Sequence, residues 1–277
     1  MNSLNNQSAS VEDLRSLAKS LRKTILQTIH KAQSGHPGGS LSELEILVTL
    51  YYRILRHDPS NPSWNKRDRF ILSKGHASPG LYAVLAEQEY FDKKELNSFR
   101  QINSILQGHT NIATPGIEMS AGSLGQGLSF GVGMAIAGRI DNLDYRVYVL
   151  LGDGECDEGQ IWEGAMSASH YSLDNLTAIV DRNRIQNDRF TDEVMKLEPL
   201  AGKWEAFGWH SLDVDGHSIE DLTKAFHQAK NITHKPTVII ANTVKGKGVS
   251  FMENNPAFHG KAPSDAQLKE ALEELSD

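Results

Sequence analysis

Four short apolar runs, at 70–72, 147–151, 176–180 and 238–241, restrict most strongly how this chain can fold. Each has the length and the branched or aliphatic content of a buried strand. The stretches between them carry apolar residues at helical spacing, notably 124–140, 158–171, 196–207 and 218–231. A fifth, weaker strand candidate is 211–214. Strands that alternate with helices predict an α/β fold. Parallel neighbours need a crossover helix, and helices must cover both faces of the sheet. The expectation is a three-layer α/β/α domain with a mostly parallel sheet. In such sheets ligands bind beyond the carboxyl ends of the strands. The polar motifs of this chain follow those ends.

Upstream of the first strand, residues 11–34 place Leu14, Leu17, Leu21, Ile25 and Ile29 on one helical face. Residues 41–55 read as a second helix, capped by Ser40 with Glu43 in its first turn. There is no Pro/Gly/Ser-rich linker and no internal repeat. At 277 residues the chain is expected to form a single domain over 1–277, with 1–9 and 266–277 as flexible or peripheral ends. A net charge of −7 without a long basic run argues against nucleic acid. No apolar run is long enough to span a bilayer, so no membrane partner is expected. The first residues are polar with no apolar signal core, and the single Cys156 cannot form an intrachain disulfide. A cytoplasmic location is the expectation.

The segment 121–138 (AGSLGQGLSFGVGMAIAG) is dense in small residues. Isolated glycines cost a helix about 1 kcal/mol each, so several in one helix need a reason. Three readings are open: close packing on another helix, a loosely packed core helix, or close approach to a ligand or second subunit.

The strongest chemical signal starts where the run 147–151 ends. Gly152-Asp153-Gly154 is followed by Glu158-Gly159, and about thirty residues later the next strand ends in Asp181-Arg182-Asn183-Arg184-Ile185. Two strand ends therefore offer the Asp153 carboxylate, the Asn183 amide oxygen and the carbonyl of Ile185. Three such oxygens suit Mg²⁺, or alternatively Ca²⁺ or Mn²⁺, with ligand phosphates completing the shell. Gly152 and Gly154 let backbone N–H groups approach a phosphate.

Of eleven histidines, four stand among small residues: Ser34-Gly35-His36-Pro37, Lys74-Gly75-His76-Ala77, Gln107-Gly108-His109-Thr110 and Phe258-His259-Gly260-Lys261. Glycine beside histidine permits backbone shapes that aim a ring into a cleft. Histidine can exchange protons near neutral pH, or hydrogen-bond to phosphates and sugar hydroxyls. His30, His57, His170, His210, His217, His227 and His234 lack this context and read as structural or surface residues.

These segments occur in a recognisable order. SGHPGGS, SKGHASPGLY, LQGHTNIATPGIEMSAGSLGQGLS, GDGECDEGQIWEGAMSA, DRNRIQ and VKGKGVSFMENNPAFHGKAP together resemble the N-terminal, diphosphate-binding domain of transketolases over about residues 10–265. The resemblance implies the thiamine diphosphate-binding fold, with that cofactor and a divalent metal held by Asp153, Asn183 and the Ile185 carbonyl. It implies His76, Gly154 and Lys245 at the cofactor, and Gly122, Ser123 and Leu124 against its aminopyrimidine. His36, His109 and His259 match histidines that face substrate hydroxyls and transfer protons. Glu158 matches a carboxylate in an acidic link between paired active sites; first-turn charge on a helix is the alternative reading.

The implied reaction passes a two-carbon ketol unit from a ketose, or ketose phosphate, to an aldose, or aldose phosphate. Full transketolases continue into a pyrimidine-binding domain that supplies an activating glutamate, whereas this chain ends at Asp277. The expected partner is thus a separate C-terminal subunit carrying that domain, in an α2β2 assembly, and the chain alone is expected to be inactive. Rival readings are the α subunit of a thiamine-dependent 2-oxo acid dehydrogenase, or a diphosphate-binding domain without turnover. Arg184 and the stretch Asn187-Asp188-Arg189-Phe190 stand where the family often has glycine.

Overall fold

The computed structural model describes residues 9–276; the expectations for residues 1–8 and for Asp277 lie outside it. Helix α1 (Val11–Ala32) opens on a capping box. The Ser10 hydroxyl accepts from the Asp13 N–H at 3.1 Å, and the Asp13 carboxylate accepts from the Ser10 N–H at 3.0 Å. Leu14, Leu21, Ile25 and Ile29 are fully or almost fully buried, as their spacing predicts.

The helix expected at 41–55 is three pieces: α2 (Pro37–Ser42), α3 (Leu44–Thr49) and a π-helical turn, Leu50–Ile54. Pro37 starts the segment because proline suits a first helical position. Ser40 is therefore interior rather than a cap, and its hydroxyl donates to the His36 carbonyl at 2.8 Å. Glu43 is fully buried at the joint between α2 and α3, 3.2 Å from the Lys74 ammonium.

Strand β1 (Arg69–Leu72) leads into α4 (Ser78–Glu87), a buried helix that the spacing analysis passed over. Next come α5 (Gln126–Ile140), β2 (Val147–Gly152), α6 (Gly159–His170) and β3 (Leu176–Arg182). A small hairpin follows, β4 (Ile185–Gln186) with β5 (Arg189–Phe190), then α7 (Thr191–Val194) and α8 (Leu200–Ala206). The helix expected over 196–207 thus begins only after Pro199. The weak strand candidate is real: β6 (His210–Asp215) leads to α9 (Ile219–Asn231), β7 (Thr237–Asn242) and α10 (Asp265–Glu274). Helix α10 packs on α1 and buries Ala271 and Leu275, so most of the 266–277 end is ordered against the core.

The five-stranded sheet has the order β1-β2-β3-β7-β6, and every pairing is parallel. Alternate strand residues enter separate cores. Tyr148, Leu150, Ile179 and Ile239 join the helices α1, α3, α4 and α9. Val147, Val149, Val180 and Val238 join α5, α6 and α8. Each face is covered by helices, so the strands read as continuous apolar runs. This is the three-layer α/β/α architecture.

The small-residue helix α5 lies directly on the sheet. A Cβ at Gly127 would sit 2.9 Å from the Ser73 Cα, and one at Gly131 would sit 2.5 Å from a Val149 methyl. At Gly127 and Gly131 close packing applies, with the sheet as the partner, whereas a Cβ at Gly133 would meet nothing within 4 Å. On the other side of α5, Phe130 and Ile140 are 50% and 73% exposed, and neighbouring Met166 of α6 is 53% exposed.

Candidate active site

The segments that follow β1, β2, β3 and β7 all open onto one cleft of about 300 Å³. Every residue expected in the site lines it except Ser123, which is exposed beside it. A larger hollow, of about 580 Å³, lies at the opposite, amino end of the strands. Its cations are engaged within the chain: Arg56 with Asp144, Arg146 with two carbonyls, and Lys230 with the Ile54 carbonyl.

Asp153 follows β2 and is 1% exposed. Its Oδ1 accepts from the Gly154 N–H at 2.8 Å, and its Oδ2 from Arg182 Nη1 at 3.0 Å and from the Arg184 N–H. Burial, and then the nearby Asp181, push its carboxyl above the ordinary range. Asn183 follows β3; its Oδ1 accepts from the Ile185 N–H at 3.1 Å. The Ile185 carbonyl accepts from Lys245 Nζ at 2.9 Å. A carboxylate offers about four lone pairs, and an amide or carbonyl oxygen two. One lone pair therefore stays free on Asp153 Oδ1, Asn183 Oδ1 and the Ile185 oxygen. That donor set fits a hard divalent cation with three protein oxygens. No group of three or more His, Cys, Asp or Glu among the described residues offers an alternative metal site.

The backbone N–H of Gly152 donates to Glu155 Oε2 at 2.9 Å, and that of Gly154 to Asp153. Both N–H groups are thus engaged within the chain. What Gly154 contributes is space: a Cβ there would lie 2.6 Å from the Gln186 side chain.

The four glycine-flanked histidines converge, although the first and last stand 223 positions apart in the chain. The His36 ring lies 5.1 Å from His76, 5.2 Å from His259 and 6.4 Å from His109, centroid to centroid. Burial, reinforced by Arg100, His109, Lys245 and Lys74, lowers His36 to about 4. Burial and Lys245 lower His259 to about 3. His76 is held well below the ordinary value by burial and Lys74, and His109 is lowered by burial and Arg100. All four are neutral at physiological pH. The Nδ1 atoms of His36 and His259 are buried without a hydrogen-bond partner.

Beneath the cleft lies a buried ionic layer that sequence reasoning missed. Lys74 pairs with Asp181 and Glu43 and donates to the Gly39 carbonyl at 3.1 Å. Burial alone would raise the Asp181 carboxyl, but Lys74, Ser42 and Thr243 outweigh it and hold it below the ordinary range. Glu43 is pushed up to about 8, by burial first, against the opposing pull of Lys74. Burial and Lys74 together lower Lys245 to about 8. Glu155 is equally buried and laces the segment after β1 to the turn before α5: it accepts from the Ser73 hydroxyl and from the Gly125 N–H at 2.8 Å. Lys74, Glu155 and Asp181 lie inside the motifs quoted above, but a lone charged residue in a motif carries no sign that it is buried.

Gly122 and Leu124 stand on the rim, and Glu158 is exposed at the N-cap position of α6. Gly125 has a φ of +87°, and a Cβ there would meet the Glu158 Cβ at 2.9 Å, so this turn requires glycine. Arg184 and Asn187 have φ of +67° and +52°. The left-handed backbone that glycine would favour is kept at both positions without glycine. Among the histidines read as structural, His217 bridges Glu45 and the Val244 N–H, at 2.9 and 2.8 Å.

Residues 14–276 match the family model described as transketolase, thiamine diphosphate binding domain. The chain is 47% identical over 264 residues to the 6-deoxy-6-sulfo-D-fructose transketolase subunit SqwG of Clostridium sp. (strain MSTE9), covering 95% of this chain and 96% of that protein. It is 44% identical over 267 residues to an apulose-4-phosphate transketolase subunit of Phocaeicola vulgatus, covering 96% and 95%. The crystal structure of transketolase from Campylobacter jejuni matches with a TM-score of 0.91 at 35% identity, covering 97% of this chain. The present chain spans only 43% of that one.

Proposed function

The chain belongs to the transketolase thiamine diphosphate-binding domain family, and from that premise we propose that it is the N-terminal subunit of a two-chain transketolase. It transfers a two-carbon ketol unit from a ketose or ketose phosphate to an aldose or aldose phosphate. The observation that carries this reading is the meeting of four distant histidines with the Asp153, Asn183 and Ile185 oxygens in one cleft. A domain that only bound diphosphate would not need such a set of proton-exchanging groups. The relatives named as transketolases argue against the 2-oxo acid dehydrogenase reading.

When bound, thiamine diphosphate supplies the carbon nucleophile and electron sink that cleavage beside a carbonyl requires. The rest falls to the chain's own residues. Asp153, Asn183 and the Ile185 carbonyl would hold Mg²⁺. Lys245, His76 and the Gly154 backbone would receive the cofactor, and Gly122, Ser123 and Leu124 would meet its aminopyrimidine. His36, His109 and His259 read substrate hydroxyls. A neutral imidazole donates at one nitrogen and accepts at the other, so each can pass a hydroxyl proton without being charged in the resting site. Glu158 lies at the rim, where a second active site would be reached.

The partner is a C-terminal subunit with the pyrimidine-binding domain, in an α2β2 assembly. The exposed apolar face of α5 and α6, with Phe130, Ile140 and Met166, supports a docking surface there. No helix among the described residues is long and apolar enough to cross a membrane, and we place the enzyme in the cytoplasm. The purified chain, assayed for ketol transfer with thiamine diphosphate and Mg²⁺, should be inactive alone and active once a pyrimidine-domain chain is added. Full activity alone would remove the two-chain reading. No cofactor binding by the pair would remove the whole proposal.

A further inference from the structure

Asn183 is the one proposed metal ligand whose usefulness depends on which way round it sits. A carboxamide has an oxygen on one side and an NH2 of similar size on the other, and only the oxygen can face a cation. Two residues earlier, Asp181 stands on β3 with no exposed surface. Its Oδ2 accepts from Lys74 Nζ, from Ser42 Oγ at 2.6 Å and from Asn183 Nδ2 at 3.0 Å, and its Oδ1 accepts from Thr243 Oγ1. An ionised carboxylate only accepts, so Asn183 must turn its NH2 toward Asp181. On the other side, the Ile185 N–H only donates, and it meets Asn183 Oδ1 at 3.1 Å. A flipped amide would set oxygen against carboxylate and NH2 against N–H, and would lose both hydrogen bonds.

We infer that Asp181, anchored by Lys74, is a positioning residue for the divalent-ion site: it locks the Asn183 carboxamide with its oxygen toward the cleft. Lys74 also reaches the Gly39 carbonyl and Glu43, so the same anchor ties the end of β3 to α2 and to the segment after β1. The inference rests on Asn183 as a metal ligand, as proposed above.

The test uses the full chain with thiamine diphosphate and Mn²⁺, following the free-ion paramagnetic resonance signal. Asn183→Ala should lose Mn²⁺ affinity; retention there overturns the ligand assignment and this inference with it. Asp181→Asn should weaken Mn²⁺ binding by about tenfold to a hundredfold, the usual effect of removing a group that orients a metal ligand. Thr243→Val, which removes a different bond to the same carboxylate, should weaken binding by less than about tenfold, below the effect of removing a group that orients a ligand. Loss in Asn183→Ala with wild-type affinity in Asp181→Asn overturns this inference alone. The exchanged pair D181N/N183D separates orientation from mere support. Both oxygens of an aspartate can face an ion, so Mn²⁺ binding should recover. An exchanged pair as weak as Asp181→Asn means that Asp181 only supports the fold, and the inference fails. If Asp181→Asn does not fold beside the charged Lys74, D181N/K74M removes both charges and is read by the same criterion.

Discussion

The Lys245 ammonium donates to the Ile185 carbonyl at 2.9 Å, so a positive charge already touches one of the three oxygens assigned to the metal. Arg182 pairs with the carboxylate that offers a second, through the other oxygen of Asp153, Oδ2. With one carboxylate and two cations at its edge, the site suits a metal that arrives with an anionic diphosphate better than a bare ion. Lys245→Met should therefore weaken thiamine diphosphate binding at saturating Mg²⁺ by about tenfold to a hundredfold, the scale of a lost charged hydrogen bond. Calorimetric titration reads this directly. An unchanged affinity would mean that Lys245 only props the Ile185 segment.

Stability should depend on pH through the histidine cluster. An unfolded histidine titrates near 6.5, whereas His36 and His259 are lowered to about 4 and about 3. Below pH 6.5 the unfolded chain binds more protons than the native one, so stability rises with pH in this window. Their contribution is complete above pH 6.5 and is lost as pH falls toward 4. Thermal melts should show Tm falling across that interval, and less steeply in the His36→Asn, His259→Asn double variant. Glu43, raised to about 8, works in the opposite sense: its contribution is present below about 4.5 and is lost as pH climbs toward 8. Glu43→Gln should flatten that alkaline limb.

Arg184 holds a φ of +67° that costs an L-residue about 1–2 kcal/mol. Glycine there would relieve the strain but adds about 0.5–1 kcal/mol of backbone entropy on unfolding. The balance predicts that Arg184→Gly is neutral or stabilising by up to about 1.5 kcal/mol in chemical denaturation. A loss above about 1 kcal/mol would show that the Arg184 side chain itself supports the fold.

Phe130 is half exposed on an apolar face of α5 that points away from the sheet. Phe130→Asp should leave the melting temperature of the isolated chain nearly unchanged, since surface changes usually stay within about 0.5 kcal/mol. The same substitution should abolish co-elution with the pyrimidine-domain partner on size exclusion. Intact assembly would place the docking surface elsewhere.

Much of this was legible because the signals are local. The runs at 147–151 and 176–180 are strands because both sheet faces are covered, and even the weaker 211–214 run proved to be an edge strand. The oxygen set at Asp153 and Asn183 was legible because strand ends are chemically marked. The start of α2 was misread: Ser40 looked like a cap, but Pro37 sets the first turn three residues earlier. Glu43 read only as a first-turn residue, and no local pattern marks a carboxylate as buried against a lysine thirty-one positions away.

The amino-acid sequence by itself determined the α/β alternation, the family resemblance and the identity of the cleft residues, because periodicity and motif order are properties of neighbouring positions. Only the tertiary structure decided that Gly127 and Gly131 of α5 press on the sheet, that His36, His76, His109 and His259 share one cleft as neutral rings, and that Asp181 faces the Asn183 amide across a lysine-anchored floor. Burial, hydrogen-bond partners and charge state are set by residues that meet only when the strands align, and in low dielectric those meetings outweigh the intrinsic chemistry of each side chain.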